Sequence, residues 1–170
     1  MKKTMIALLM SLALVAVGIV PAVAADNGAN VTNLIAGESM GSVNSAAAFT
    51  AGASSRITGY VTAVGGVTIG DEASVSGNIT AGAAFTSGAH SKVEGSISSK
   101  ADYTSGASST VGGDVTSGAD FTSGANSVIS GDVYVTGSIA LGAGSRILGS
   151  VHSGTGVILY GLGATLGSVK

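Results

Sequence analysis

The amino-acid sequence predicts an all-β fold: a single-stranded parallel β-helix, or β-solenoid, with three short strands in each 18-residue rung and about seven to eight rungs. Three series of residues predict it. An aromatic or branched aliphatic residue recurs without a gap at Phe49, Val67, Phe85, Tyr103, Phe121, Ile139 and Val157. A glycine column (Gly59, Gly77, Gly95, Gly113, Gly131, Gly149, Gly167) keeps the same interval, and two places after it stand Val61, Ile79, Ile97, Val115, Val133, Val151 and Val169. A further apolar column runs through Ile57, Val75, Val93, Val111, Ile129 and Ile147 and is broken at Thr165.

Side chains alternate between the two faces of a strand, so three apolar columns per period mean three inward-facing strands per turn. Each rung divides into hexads, as in Ile69-Gly-Asp-Glu-Ala-Ser, Val75-Ser-Gly-Asn-Ile-Thr and Ala81-Gly-Ala-Ala-Phe-Thr, and a short β-segment plus a corner fits that unit. Glycine at the corners is expected to supply a positive φ or a close backbone approach. Between Val31 and Lys170 helix is excluded, because no window of useful length has 3.6-residue periodicity and glycine recurs too often. Gly41 and Val43 extend the glycine and valine columns and Val31 the first one, which places the solenoid over residues 31–170. Eight such rungs make a rod on the order of 35 to 40 Å long. The pattern leaves the hand of the coil open.

Residues 1–24 have the layout of a secretory signal: Lys2 and Lys3, an apolar run from Met5 to Val20, then Pro21-Ala22-Val23-Ala24. The run falls short of the roughly 20 residues that span a bilayer, and the A-x-A ending favours cleavage after Ala24 or Ala25. Residues 25–30 form a short leading segment. Export across the inner membrane to the periplasm, the cell surface or the medium is expected, with no membrane span once the signal is removed. The chain has no Cys, so neither a disulfide nor a lipidated Cys contributes. Without the signal, five basic side chains face nine acidic ones, which is no footprint for nucleic acid. Charged residues are only 9% of the chain, and the strict period argues that this low charge goes with order.

No catalytic constellation, cofactor site or phosphate-binding loop is expected, and the reading is non-enzymatic. His90 shares a corner place with Ser54, Glu72, Ser108 and Asn126, and His152 an outward place with Thr62, Thr80 and Thr116. Asp102 and Asp120, like Asp114 and Asp132, hold equivalent places on adjacent rungs. Like charges stacked ~5 Å apart repel unless solvent or a cation screens them. The dense Gly-Asp nonapeptide pattern of calcium-binding β-rolls is absent, and no metal is assigned.

Two candidate surfaces remain. Thr50, Thr68, Thr86, Thr104 and Thr122 form an outward rank beside Gly52, Gly70, Gly88, Gly106 and Gly124, and it is the rank that reads as continuous. A flat rank of Thr at rung spacing suits ordered water at an ice surface; Thr is also simply a good outward strand residue that stacks on itself. The second surface is the end of the rod. Solenoid ends carry unpaired strand edges. The last rung, with Val157, Leu159 and Val169, is the candidate end for self-association into a filament.

The run Val67-Thr-Ile-Gly-Asp-Glu-Ala-Ser-Val-Ser-Gly-Asn-Ile-Thr-Ala-Gly, echoed in each rung, resembles the bactofilins, polymer-forming bacterial β-helix proteins. That resemblance covers about residues 49–170 and implies a homopolymer. The rungs from Tyr134 on, through Val135-Thr-Gly-Ser-Ile-Ala-Leu-Gly-Ala-Gly-Ser-Arg-Ile-Leu-Gly-Ser-Val-His, also resemble exported microbial ice-binding β-solenoids. The hexads are similar to those of hexapeptide-repeat acyltransferases, whose chemistry needs a His beside an inserted loop; no insertion breaks the period here. The expected partner is therefore another copy of the chain. The alternative is an extended surface such as ice or a cell-envelope polymer.

Overall fold

The computed structural model describes residues 32–170. The predicted signal, residues 25–30 and Val31 lie outside the described residues.

The chain coils as a parallel β-solenoid of about eight turns, with three short strands per turn and no helix among the described residues. On the first face, three-residue strands such as Phe49–Ala51, Val67–Ile69 and Phe85–Ser87 stack into an eight-stranded sheet. Two-residue strands such as Arg56–Ile57 and Ser74–Val75 build the second face, and three-residue strands such as Val61–Ala63 and Ile79–Ala81 build the third. The second and third faces join into one 14-stranded sheet where a single strand, Arg146–Ser153, pairs across both. Each three-residue strand of the inner rungs buries its first and last side chains and turns the middle one outward, the period-2 alternation that the apolar columns demand.

The interior is a stack of like on like. Phe85 lies over Tyr103 with ring centroids 5.2 Å apart, and Tyr103 over Phe121 at 4.7 Å with planes 3° apart. Toward the corners the core narrows and large side chains give way to small ones. Eleven serines are buried there, and several hydroxyls donate to corner carbonyls: Ser109 Oγ to Gly106 O at 2.8 Å, Ser127 Oγ to Gly124 O at 2.9 Å, Ser117 Oγ to Asp120 O at 2.9 Å. A buried corner carbonyl without a partner costs free energy, and these hydroxyls remove that cost.

The register departs from the uniform period at both ends. Near the amino-terminal end Asn33 pairs with Thr50 and Met40 with Ile57, one residue short of 18, before Val43 against Val61 restores it. Thr32 therefore falls in the Phe49 column, and Met40 heads the Ile57 column. At the other end Ile139 pairs with Ile158, not Val157, and Ile147 with Leu166, not Thr165. An extra residue enters between these rungs, and a shift between Ile147 and Ser150 takes it out again, so that Val151 pairs with Val169. The apparent break at Thr165 is thus a slip of register, with half-buried Leu166 filling the place.

Of the two roles expected of the glycines, the columns serve the close backbone approach, and the positive φ falls mostly to other residues. The left-handed corner is occupied by Ser54, Glu72, His90, Ser108 and Asn126, at φ of 55 to 58°, and by glycine only toward the ends, at Gly37, Gly144 and Gly163. The glycine columns instead stand where rungs touch. A Cβ at Gly106 would sit 2.5 Å from Ala89 N, inside any permitted contact, so this column is glycine for space and not for φ. No helix of the described residues is long and apolar enough to cross a membrane.

Candidate functional site

Each of Thr50, Thr68, Thr86, Thr104 and Thr122 is the exposed middle residue of a first-face strand. The ladder pairs them in register, one directly above the next, and continues to Asn33 below and to Ala140 and Leu159 above. One outward residue per strand makes a single file at the rung spacing of ~4.8 Å.

The third face carries a second polar file, built on the outward place that Thr62, Thr80, Thr116 and His152 share in the sequence. Asn44, Thr62, Thr80, Ser98 and Thr116 are stacked in register, and the file then changes character at Tyr134 and His152. Those two rings stack with centroids 4.7 Å apart and planes 10° apart. His152 holds its expected outward place; its partner was legible as well, since 134 and 152 differ by one period. Tyr134 Oη donates to Asp132 Oδ2 at 3.3 Å, and the negative charge of Asp132 holds the Tyr134 phenol above the usual tyrosine range. Two shallow depressions follow this face, one among Thr80, Ser98, Asp114 and Thr116, the other among Thr116, Tyr134, His152 and Lys170.

The paired aspartates are tied into the backbone. Asp102 Oδ1 accepts the Asp120 N–H at 3.1 Å, and Asp120 Oδ1 accepts that of Ser138 at 2.8 Å. On the next corner Asn78 Oδ1, Ser96 Oγ, Asp114 Oδ1 and Asp132 Oδ1 each accept the N–H of the equivalent residue one rung on, at 2.7 to 3.0 Å. Backbone donors thus offset the repulsion expected of stacked carboxylates. Among the described residues no three His, Cys, Asp or Glu side chains converge as metal ligands would. His90 sits in the left-handed corner column.

The last rung is where exposed apolar side chains concentrate. Val157 is 46% exposed, Leu159 62%, Leu162 92% and Val169 57%, and Tyr160 stands among them. Strands Ile158–Tyr160 and Thr165–Val169 each pair on one side only among the described residues. Val157, Leu159 and Val169 lie together at one end of the described rod, and Tyr160 and Leu162 join them.

The fold and these surfaces define a parallel β-solenoid whose outward features are in-register ranks of short polar side chains and one apolar end. No protein-family model, no curated protein and no solved structure matches this chain.

Proposed function

We propose that this chain is an exported, non-enzymatic structural protein whose rods join end to end into filaments or a surface matrix. The observation that carries the reading is the apolar last rung: of ten exposed large apolar side chains among the described residues, five lie from Val157 to Val169. Among the described residues the strands of that rung offer an unpaired edge, and Asn33–Leu34 and Ser39–Met40 offer the opposite edge, with Ile35 exposed beside them. All strands run parallel, so the two ends are complementary, and pairing them is a heterologous contact that repeats without closing. The resemblance to bactofilins supports the same reading, and the signal-like start of the chain supports export.

Negative-stain electron microscopy and size-exclusion chromatography across a concentration series test it. Filaments a few nanometres wide are expected, dispersed by Leu159→Lys or Val169→Lys. A monodisperse monomer at every concentration overturns it.

A second reading has its own observation, the strictly in-register Thr file on the first face. It makes the rod an ice-binding monomer. Replacing Thr86 and Thr104 with tyrosine should then abolish any effect on ice growth, while Leu159→Lys should leave it intact.

A further inference from the structure

The third face differs from the other two by its exposed stacked rings, and their position in the file determines what they can bind. Along the ladder Tyr134 has Thr116 on one side and His152 on the other. His152 covers one face of the Tyr134 ring. The other face is turned toward Thr116, whose side chain is too short to cover an aromatic ring, and Tyr134 remains 42% exposed. An open ring face thus stands as a wall above a floor of small hydroxyl side chains, Thr116, Ser98 and Thr80. Two depressions, about 430 and 270 Å³, adjoin along this floor and share Thr116 in their lining.

We propose that this trough binds a neutral oligosaccharide or polysaccharide, one sugar ring packing its C–H face on Tyr134 above Thr116 while its hydroxyls bond to the floor and to Asp114 and Asp132. A sugar ring has an apolar face and a rim of hydroxyls, and the trough presents both complements: an aromatic face beside close-set donors and acceptors. A carboxylate has about four acceptor positions. Asp132 uses one for the Ser150 N–H and one for Tyr134 Oη, which leaves capacity for a ligand hydroxyl. The same hydrogen bond fixes the Tyr134 ring, so little side-chain freedom is lost on binding. Asp114 and Asp132 flank the space over Thr116 and select against acidic sugars there, whereas Lys170 lines the depression beside His152, on the other side of the ring pair. Two rungs span ~10 Å, about the length of a disaccharide in an extended 1,4-linked chain, so successive sugars meet the repeating floor in register. This site is independent of end-to-end association and of the Thr file on the first face.

The test is titration of the full-length protein with cellohexaose, with the hexamer of N-acetylglucosamine and with hexagalacturonate, followed by calorimetry and by the tyrosine emission of this tryptophan-free chain. At least one neutral hexamer should bind, more tightly than the acidic one. Tyr134→Ala should weaken that binding at least tenfold. Thr116→Tyr, which extends the ring stack and fills the space over Tyr134, should block it, and Thr86→Ala on the first face should leave it unchanged. Thermal unfolding of each variant confirms that the fold is kept. No binding by either neutral hexamer at millimolar concentration, preference for the acidic hexamer, or an unchanged affinity in both Tyr134→Ala and Thr116→Tyr would overturn the proposal.

Discussion

Asp114 and Asp132 stand one rung apart and are joined by a hydrogen bond in which Asp114 Oδ1 accepts the Asp132 N–H at 2.8 Å. The relation repeats one rung later, where Asp132 Oδ1 takes the Ser150 N–H at 2.7 Å, and one and two rungs earlier, with Ser96 and then Asn78 in the accepting role. A column that holds Asn, Ser and Asp in one role is selected for an oxygen acceptor and not for charge. Asp132→Ala should therefore cost about 1 kcal/mol of stability, the usual worth of such a bond, while Asp132→Asn should cost far less. Chemical denaturation of the two variants checks this; equal losses would mean that charge matters after all.

The buried serines divide by whether their hydroxyls find a partner. Ser109 donates to Gly106 O, but the Ser55 hydroxyl, at the equivalent corner three rungs before, is buried without a hydrogen bond, and Ala73 fills that place one rung on. Ser55→Ala should accordingly be neutral or stabilising by up to about 1 kcal/mol, and Ser109→Ala should destabilise by a similar amount. Opposite signs in urea denaturation are the expected result. Equal losses would show that small polar side chains serve these corners by volume alone.

The inner columns from Phe49 to Ile139 are legible in the sequence because a gapless period leaves no choice of alignment. The ends are not. Val157 and Ile158 are both apolar, so a one-residue slip changes nothing in the pattern, and only the ladder that pairs Ile139 with Ile158 decides between them. The left-handed corner is hidden for a related reason: Ser54, Glu72 and His90 have no chemistry in common, and what they share is a backbone angle. The surfaces were readable in proportion to their repetition. The Thr50 to Thr122 file repeats one residue type and stands out, whereas the third-face file mixes Asn, Thr, Ser, Tyr and His, so that its pair at 134 and 152, though one period apart in the sequence, draws notice only once the rings are seen to stack.

His90 at φ 55° pays the cost of a Cβ in the left-handed region, about 1 kcal/mol or more. Asparagine tolerates that region better than most residues and holds the same place at Asn126. His90→Asn should thus raise the melting temperature by a few degrees, and His90→Val, β-branched at positive φ, should lower it by more. Calorimetric scans of the two variants distinguish this from a surface histidine indifferent to replacement, which would give no shift in either.

Tyr103 is buried between Phe85 and Phe121, and that burial pushes its phenol up to about 12, against a smaller opposing effect of Ser105. In the unfolded chain the same phenol loses its proton near its ordinary value of 10.0. Below that pH both states hold the proton and the full stability is present. Between the two values the unfolded chain releases its proton while the folded one keeps it, so stability falls as pH rises. The share belonging to Tyr103 approaches roughly 2 to 3 kcal/mol by the upper value, since each pH unit is worth about 1.4 kcal/mol. Tyr103→Phe removes the titrating group, keeps the ring stack, and should flatten that part of the profile while leaving stability at neutral pH within about 1 kcal/mol. Urea denaturation of both proteins at pH 8, 10 and 11 measures the difference; parallel profiles would mean that the Tyr103 phenol ionises as readily in the folded protein as in the unfolded chain.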